Sequence, residues 1–170
     1  MRHLLLLPIV LLASACQGVG GPKPAESVLR DAQGTDIGRV TLSEKDGHIL
    51  VHIKAAGLVP GNHGTHLHAA GQCDGPGFQS AGSHLNPANK KHGVLNPEGQ
   101  HLGDLPNLIV APDGHAEAID EVLGEEAKAG VRSLVGVNGL ALVIHADPDD
   151  QRTDPAGNSG ARIACAAIRP

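Results

Sequence analysis

The sequence predicts an antiparallel all-β sandwich or barrel that carries two long loops, and three observations predict it. Residues 37–42 and 49–53 alternate apolar and polar side chains, with Val40 and Leu42, then Ile49, Val51 and Ile53, on one face. Asp46-Gly47 and Asp113-Gly114 are hairpin turn signals between such runs. Residues 71–105 are rich in Gly, Pro, Asn and His, and residues 147–160 in Asp, Pro and Gly, with little apolar periodicity. Stretches this long without regular structure are usually functional or disordered.

In chain order, residues 1–15 read as a secretory signal peptide. Arg2 starts it, an apolar run from Leu4 to Leu12 is broken only by Pro8, and Ala13-Ser14-Ala15 forms a small-residue cleavage site. The run is too short to span a bilayer permanently. Cleavage after Ala15 places Cys16 at the new N-terminus. Leu12-Ala13-Ser14-Ala15-Cys16 resembles a bacterial lipobox, with the Leu one place further from the Cys than usual. The expectation is a periplasmic protein, anchored to the envelope through a lipid on Cys16 and otherwise making no membrane contact. The competing reading is an ordinary cleavage site with an incidental Cys.

Residues 16–25 are Gly/Pro-rich and read as a flexible tether, and residues 26–170 as one domain. Residues 139–145 contain the apolar run Leu140-Ala141-Leu142-Val143-Ile144, and residues 161–168 form a last strand. Residues 121–134 hold good helix formers, but Gly124 and Gly130 weaken them, so a loop with one turn is expected.

Composition narrows the function. The 170 residues are 41% hydrophobic, which supports a core, yet contain one Phe and no Trp or Tyr. The core must therefore come from Val, Ile, Leu and Ala. Stacking platforms for single-stranded nucleic acid are excluded, as are interfaces anchored on Trp or Tyr. A formal net charge of -5 argues against a general nucleic-acid partner. Three cysteines are odd for an exported chain. Lipidation of Cys16 leaves Cys73 and Cys165 to pair in an oxidising compartment.

Eleven His is the unusual number. His66 and His68 are two apart, which on a strand puts both rings on one face with Cα atoms about 6.5 to 7 Å apart, close enough to share a metal. His84, His92, His101 and Asp104 come from the long loop, and three imidazoles with one carboxylate make a closed tetrahedral set suited to Zn²⁺. His145 ends the apolar strand and can return to the first pair. His48, His52 and His115 read as solvated surface residues.

These residues resemble the copper/zinc superoxide dismutase family, of the bacterial envelope type, from about residue 26 to 168. Gly61-Asn62-His63-Gly64-Thr65-His66-Leu67-His68 is similar to the first signature of that family. Ser80-Ala81-Gly82-Ser83-His84-Leu85-Asn86-Pro87 and His101-Leu102-Gly103-Asp104-Leu105-Pro106 are similar to its zinc loop, and residues 157–168 to its C-terminal signature.

The resemblance implies an eight-stranded Greek-key barrel, one copper and one zinc per subunit, and conversion of superoxide to dioxygen and hydrogen peroxide by cycling Cu(II)/Cu(I). By the same resemblance His66, His68, His84 and His145 hold copper, and His84, His92, His101 and Asp104 hold zinc. His84 bridges the two and serves as the proton carrier. Arg162 stands beside the open copper position, Cys73 and Cys165 form the family disulfide, and Asp149 links ligands of the two metals. Asp147 and Asp150 are close enough in sequence to compete for that last role. His63 matches a position outside the ligand set. Thr65 stands where the family commonly has an apolar residue, so local packing there should differ. The aromatic contacts of bacterial dimers in this family are missing, which leaves monomer or homodimer open.

Overall fold

A computed structural model describes residues 24–170. The expected signal peptide, Cys16 and most of the tether lie outside these residues. Among the described residues, nine strands form two antiparallel sheets. The larger has seven strands in the order β5-β8-β9-β1-β2-β3-β7, and the smaller pairs β4 with β6. The strands are β1 (Ala25–Asp31), β2 (Asp36–Lys45), β3 (His48–Ala55), β4 (Gly61–His63), β5 (Thr65–His68), β6 (Leu108–Val110), β7 (Ala116–Glu121), β8 (Leu140–His145) and β9 (Arg162–Ile168). The count exceeds eight because one long run is divided at Gly64, where the chain leaves the small sheet and joins the large one. There Gly64 N–H donates to Asp147 O at 2.9 Å, and His145 N–H donates to Gly64 O at 2.8 Å.

The alternation seen in the sequence sets the core. Val40, Leu42, Ile49, Val51 and Ile53 are fully buried, while His48 and Lys54 on the same hairpin are exposed. Asp46 and Gly47 make the β2–β3 turn with φ 52 and 82°. Positive φ at both central residues matches the right-handed twist of the flanking strands, which is why Asp-Gly sits there.

All six residues of β8 are buried. Leu140, Leu142 and Ile144 face the main core, while Ala141 and Val143 pack outward against Phe78, Ala81 and Cys165 under the long loop. A strand covered on both faces reads as a continuous apolar run, as this one does. The disulfide Cys73–Cys165 ties that loop to β9, with Cα atoms 5.7 Å apart.

Where one turn was expected, a 3-10 turn (Glu125–Ala129) is followed by the short helix α1 (Val131–Val135). Gly130, at φ 86°, separates them and prevents one continuous helix. Ala127, Val131 and Val135 turn inward and close that part of the core. Among the described residues, no helix is long and apolar enough to cross a membrane.

Candidate metal centre

Strand β5 carries the first two histidines. Leu67 points into the core, so His66 and His68 emerge together on the opposite face. The long loop is laid alongside β5 by main-chain bonds. Leu67 N–H donates to Gly103 O, and Leu85 N–H donates to Leu67 O, both at 2.8 Å. This stitching pairs His68 with His84 and His66 with Asp104 as isolated bridges. His145 arrives from the end of β8 and lies opposite Arg162 on β9.

Among the described residues, five buried side-chain nitrogen or oxygen atoms have no hydrogen-bond partner, and four of them are His66 Nδ1, His68 Nε2, His84 Nε2 and His145 Nε2. Ligand atoms of these same four residues lie within 4.8 Å of one another. Each ring is held by its other nitrogen. His66 Nε2 meets Asp149 Oδ2 at 2.8 Å, His68 Nδ1 donates to Gly82 O at 2.9 Å, His84 Nδ1 meets Asp104 Oδ1 at 2.9 Å, and His145 Nδ1 donates to Gly160 O at 3.2 Å. Such outer contacts fix the tautomer and leave the inner nitrogen with a free lone pair. Buried lone pairs aimed at a common point fit a metal, and four imidazoles suit Cu(II).

The second set forms around Asp104. Nδ1 atoms of three rings converge on its Oδ1, at 2.9 Å from His84, 3.1 Å from His92 and 3.1 Å from His101. Its Oδ2 accepts N–H from Gly93 at 2.9 Å and His101 at 3.0 Å, which orients the carboxylate. Distance alone groups His66 with His84, His92 and Asp104. His66, however, has its Nε2 engaged by Asp149 and its Nδ1 turned to the first set. His101 therefore completes three imidazoles and a carboxylate, a donor set that suits Zn²⁺. His84 faces both sets, with Nε2 in one and Nδ1 in the other.

Asp149 joins the two groups. His66 Nε2 lies 2.8 Å from its Oδ2, and His92 Nε2 lies 3.0 Å from each of its oxygens. Asp150 is engaged elsewhere, accepting from Arg152, Thr153 and Asn158 in the exposed turn of the second loop. Asp147 serves through its main chain, bonded to Gly64 and Ser159.

The electrostatics follow from burial and pairing. Burial, with neighbouring His84 as a further cause, pushes the pKa of His68 down to about 2. Burial pushes His66 down to about 3 and His145 to about 4. These rings are neutral and available as ligands. His92 behaves oppositely. Burial opposes its charge, but hydrogen bonds to Asp104 and Asp149 outweigh it and raise the pKa to about 9. Asp104 and Asp149 lie well below the usual carboxylate range, because hydrogen bonds from the rings overcome burial. The two carboxylates create a place for positive charge.

Arg162 opens β9 and is half-buried. Its Nη1 donates to Phe78 O at 2.8 Å and its Nη2 to Gly82 O at 2.7 Å.

Sequence reading leaves His63 outside the site, but the structure places it behind His145. Its ring is buried between two carbonyls, 2.7 Å from His145 O and 2.8 Å from Val59 O. Thr65 is also fully buried, and its hydroxyl donates to His63 O at 3.2 Å, which is how a polar residue is accommodated there. Asn107 was not marked by any sequence pattern, yet it clamps the Asp149 main chain. Its Nδ2 donates to Asp149 O at 2.9 Å, and its Oδ1 accepts Asp149 N–H at 2.8 Å. His48 and His52 pair across strands with Glu121 and Glu117, away from the site.

Residues 37–168 match the copper/zinc superoxide dismutase (SODC) family. A Cu-Zn superoxide dismutase of Caulobacter vibrioides is 39% identical over 148 residues, 85% of each chain. A second, from Aquifex aeolicus, is 43% identical over 149 residues, 85% of this chain and 86% of that one. The crystal structure of a SOD-like protein from Bacillus subtilis superposes with a TM-score of 0.77 at 39% identity, covering 85% of this chain and 97% of that chain.

Proposed function

Because the chain belongs to the copper/zinc superoxide dismutase family, we propose that His66, His68, His84 and His145 hold its copper, that His84, His92, His101 and Asp104 hold its zinc, and that it removes superoxide outside the cytoplasm. The observation that carries the ligand assignment is the set of four buried, unpartnered imidazole nitrogens that share one residue, His84, with the ring set around Asp104.

The bound copper supplies a one-electron couple, against which one superoxide is oxidised to dioxygen and a second is reduced, with two protons, to hydrogen peroxide. The residues of the chain supply the rest. Arg162 attracts and holds the anion. Two of its five N–H groups are tied to the Phe78 and Gly82 carbonyls, which fixes the guanidinium plane and leaves three donors. The chain as a whole is negative, so this local positive field works against a global repulsion. His84 carries a proton at Nε2 between the two half-reactions and delivers it to the peroxide oxygen. The Nδ1 side of His84, gripped in the Asp104 set, keeps the ring in place while the proton comes and goes. Asp149 keeps protons on Nε2 of His66 and His92, so that Nδ1 is the nitrogen each ring offers to a metal.

The leader-like residues 1–15 and the lipobox-like run ending at Cys16 support placement in the bacterial envelope, with a lipid on Cys16 and residues 16–25 as the tether. Mass spectrometry of the mature N-terminus and fractionation of cells test this. A lipidated Cys16 in the membrane fraction is expected. An uncleaved chain in the cytoplasm contradicts it, and a cleaved, unmodified Cys16 in the soluble periplasm removes the anchor alone.

A further inference from the structure

We propose that Gln151 is a positioning residue for both metals, acting through Asp149. The proposal rests on the ligand assignment above, in which His66 belongs to the copper set and His92 to the zinc set. Gln151 N–H donates to Asp149 Oδ1 at 2.6 Å, and its Nε2 donates to Asp149 Oδ2 at 2.9 Å. These are the same oxygens that meet His66 Nε2 at 2.8 Å and His92 Nε2 at 3.0 Å. A carboxylate is acceptor-only when ionised. Two donors from Gln151 occupy its remaining acceptor directions.

The orientation of the Gln151 amide is determined by its surroundings. Nε2 also faces Leu105 O at 3.3 Å. A flipped amide would set Oε1 against both a carbonyl and a carboxylate oxygen. The main chain of Gln151 is held as firmly. It adopts φ 57°, which L residues rarely do. Leu95 N–H donates to Gln151 O at 3.0 Å. Gly93 packs directly under the same peptide, and a Cβ there would overlap it. Residues 93–95 and 105 thus hold Gln151 from the zinc-loop side, and Gln151 holds Asp149.

The chemical consequence concerns tautomers. With Gln151 held on both of its oxygens, Asp149 stays where it meets Nε2–H of His66 and of His92. His66 is then left with an Nδ1 lone pair toward the first set, and His92 offers Nδ1 to the second set, where zinc takes the place of a proton. One glutamine therefore prepares a ligand for each metal without touching either metal or substrate.

The test is Gln151→Met in the full mature chain, which keeps length and bulk but removes the amide donor. Copper and zinc affinities are measured by chelator competition, and the Cu(II) centre by electron paramagnetic resonance. Loss of such an outer partner typically weakens metal binding about 10- to 100-fold. Both metals are expected to bind at least about tenfold more weakly, with an altered Cu(II) spectrum. Gln151→Gly relieves the positive φ, so it should reproduce the loss if the side chain matters. Wild-type affinities and spectrum in Gln151→Met overturn the proposal even if the melting temperature falls. Wild-type affinities in Gln151→Gly overturn it too. A wild-type chain that binds neither metal overturns the ligand assignment itself, and this proposal with it.

Discussion

His68 and Arg162 share one acceptor: the Gly82 carbonyl takes a hydrogen bond from His68 Nδ1 at 2.9 Å and from Arg162 Nη2 at 2.7 Å. One peptide of the long loop therefore registers a proposed copper ligand against the group proposed to receive the substrate. Arg162→Ile should keep copper, since the ring of His68 retains its bond to Gly82. It should slow the bimolecular reaction with superoxide by about tenfold or more, because focused charge raises association rates by roughly 10 to 10³. Stopped-flow or pulsed measurement over a range of salt checks it. The variant should also lose most of the salt dependence, and an unchanged rate at low salt contradicts the steering role.

Gly157 is the point where the second loop passes over Asp149. It has φ 62°, and a Cβ there would overlap Asp149 Oδ1 and lie 2.7 Å from His92 Nε2. Gly157→Ala should displace the carboxylate that joins the two ligand sets. Zinc and copper content after dialysis against a mild chelator should both fall, while the far-ultraviolet spectrum of the β-sheets is retained. Full retention of both metals would show that the loop has room the structure does not grant it.

The metal-free chain should be most stable at about pH 7, where the unfolded state and the folded state bind equal numbers of protons. Below that, the unfolded state protonates His66, His68 and His145 near their ordinary value, while burial holds the folded rings neutral down to about 3, 2 and 4. The unfolded state then binds more protons, so stability falls with acid, by up to about 4 kcal/mol per pH unit for three groups. The depressed Asp104 and Asp149 add to this loss further into acid. His92 has the opposite sign. Its folded pKa is raised to about 9, so its contribution is present below 6.5 and is lost as pH rises through 9, at about 1.4 kcal/mol per unit at most. Thermal melts of chelator-treated protein between pH 5 and 9 should show a steep acid limb and a shallow alkaline one. Zinc, taking the place of the His92 proton, should flatten the alkaline limb. A flat acid limb contradicts the burial argument.

Much of this was legible in the sequence, for identifiable reasons. The β2–β3 hairpin announced itself because Ile49, Val51 and Ile53 alternate with polar residues and Asp46-Gly47 can adopt the turn. His66 and His68 were readable as a pair because a strand puts alternate residues on one face. Strand β7 was not readable, because its pattern is inverted. Ile119 is exposed on its outer face, while the carboxyl of Asp120 is partly buried, which raises its pKa. An inward charge on an edge strand of this kind discourages pairing with another sheet. Gln151 is not legible for a different reason: its partners Asp149 and Leu105 are 2 and 46 residues away, and no local spacing encodes a contact of the second kind. His63 matches a position outside the ligand set, and only the fold reveals the two carbonyls that enclose its ring.

The central claim is that four imidazoles hold a redox-active copper beside a zinc that does not depend on it. His145 ends β8 and belongs to the first ligand set alone, so it separates the two sites. The most direct measurement is superoxide dismutation by the purified mature chain and by its His145→Ala variant, with copper and zinc counted in the same samples. The wild-type chain should carry one copper and one zinc and dismutate superoxide. The variant should keep its zinc while losing copper and activity together. Undiminished dismutation by a copper-free variant, or loss of zinc with copper retained, would contradict the account.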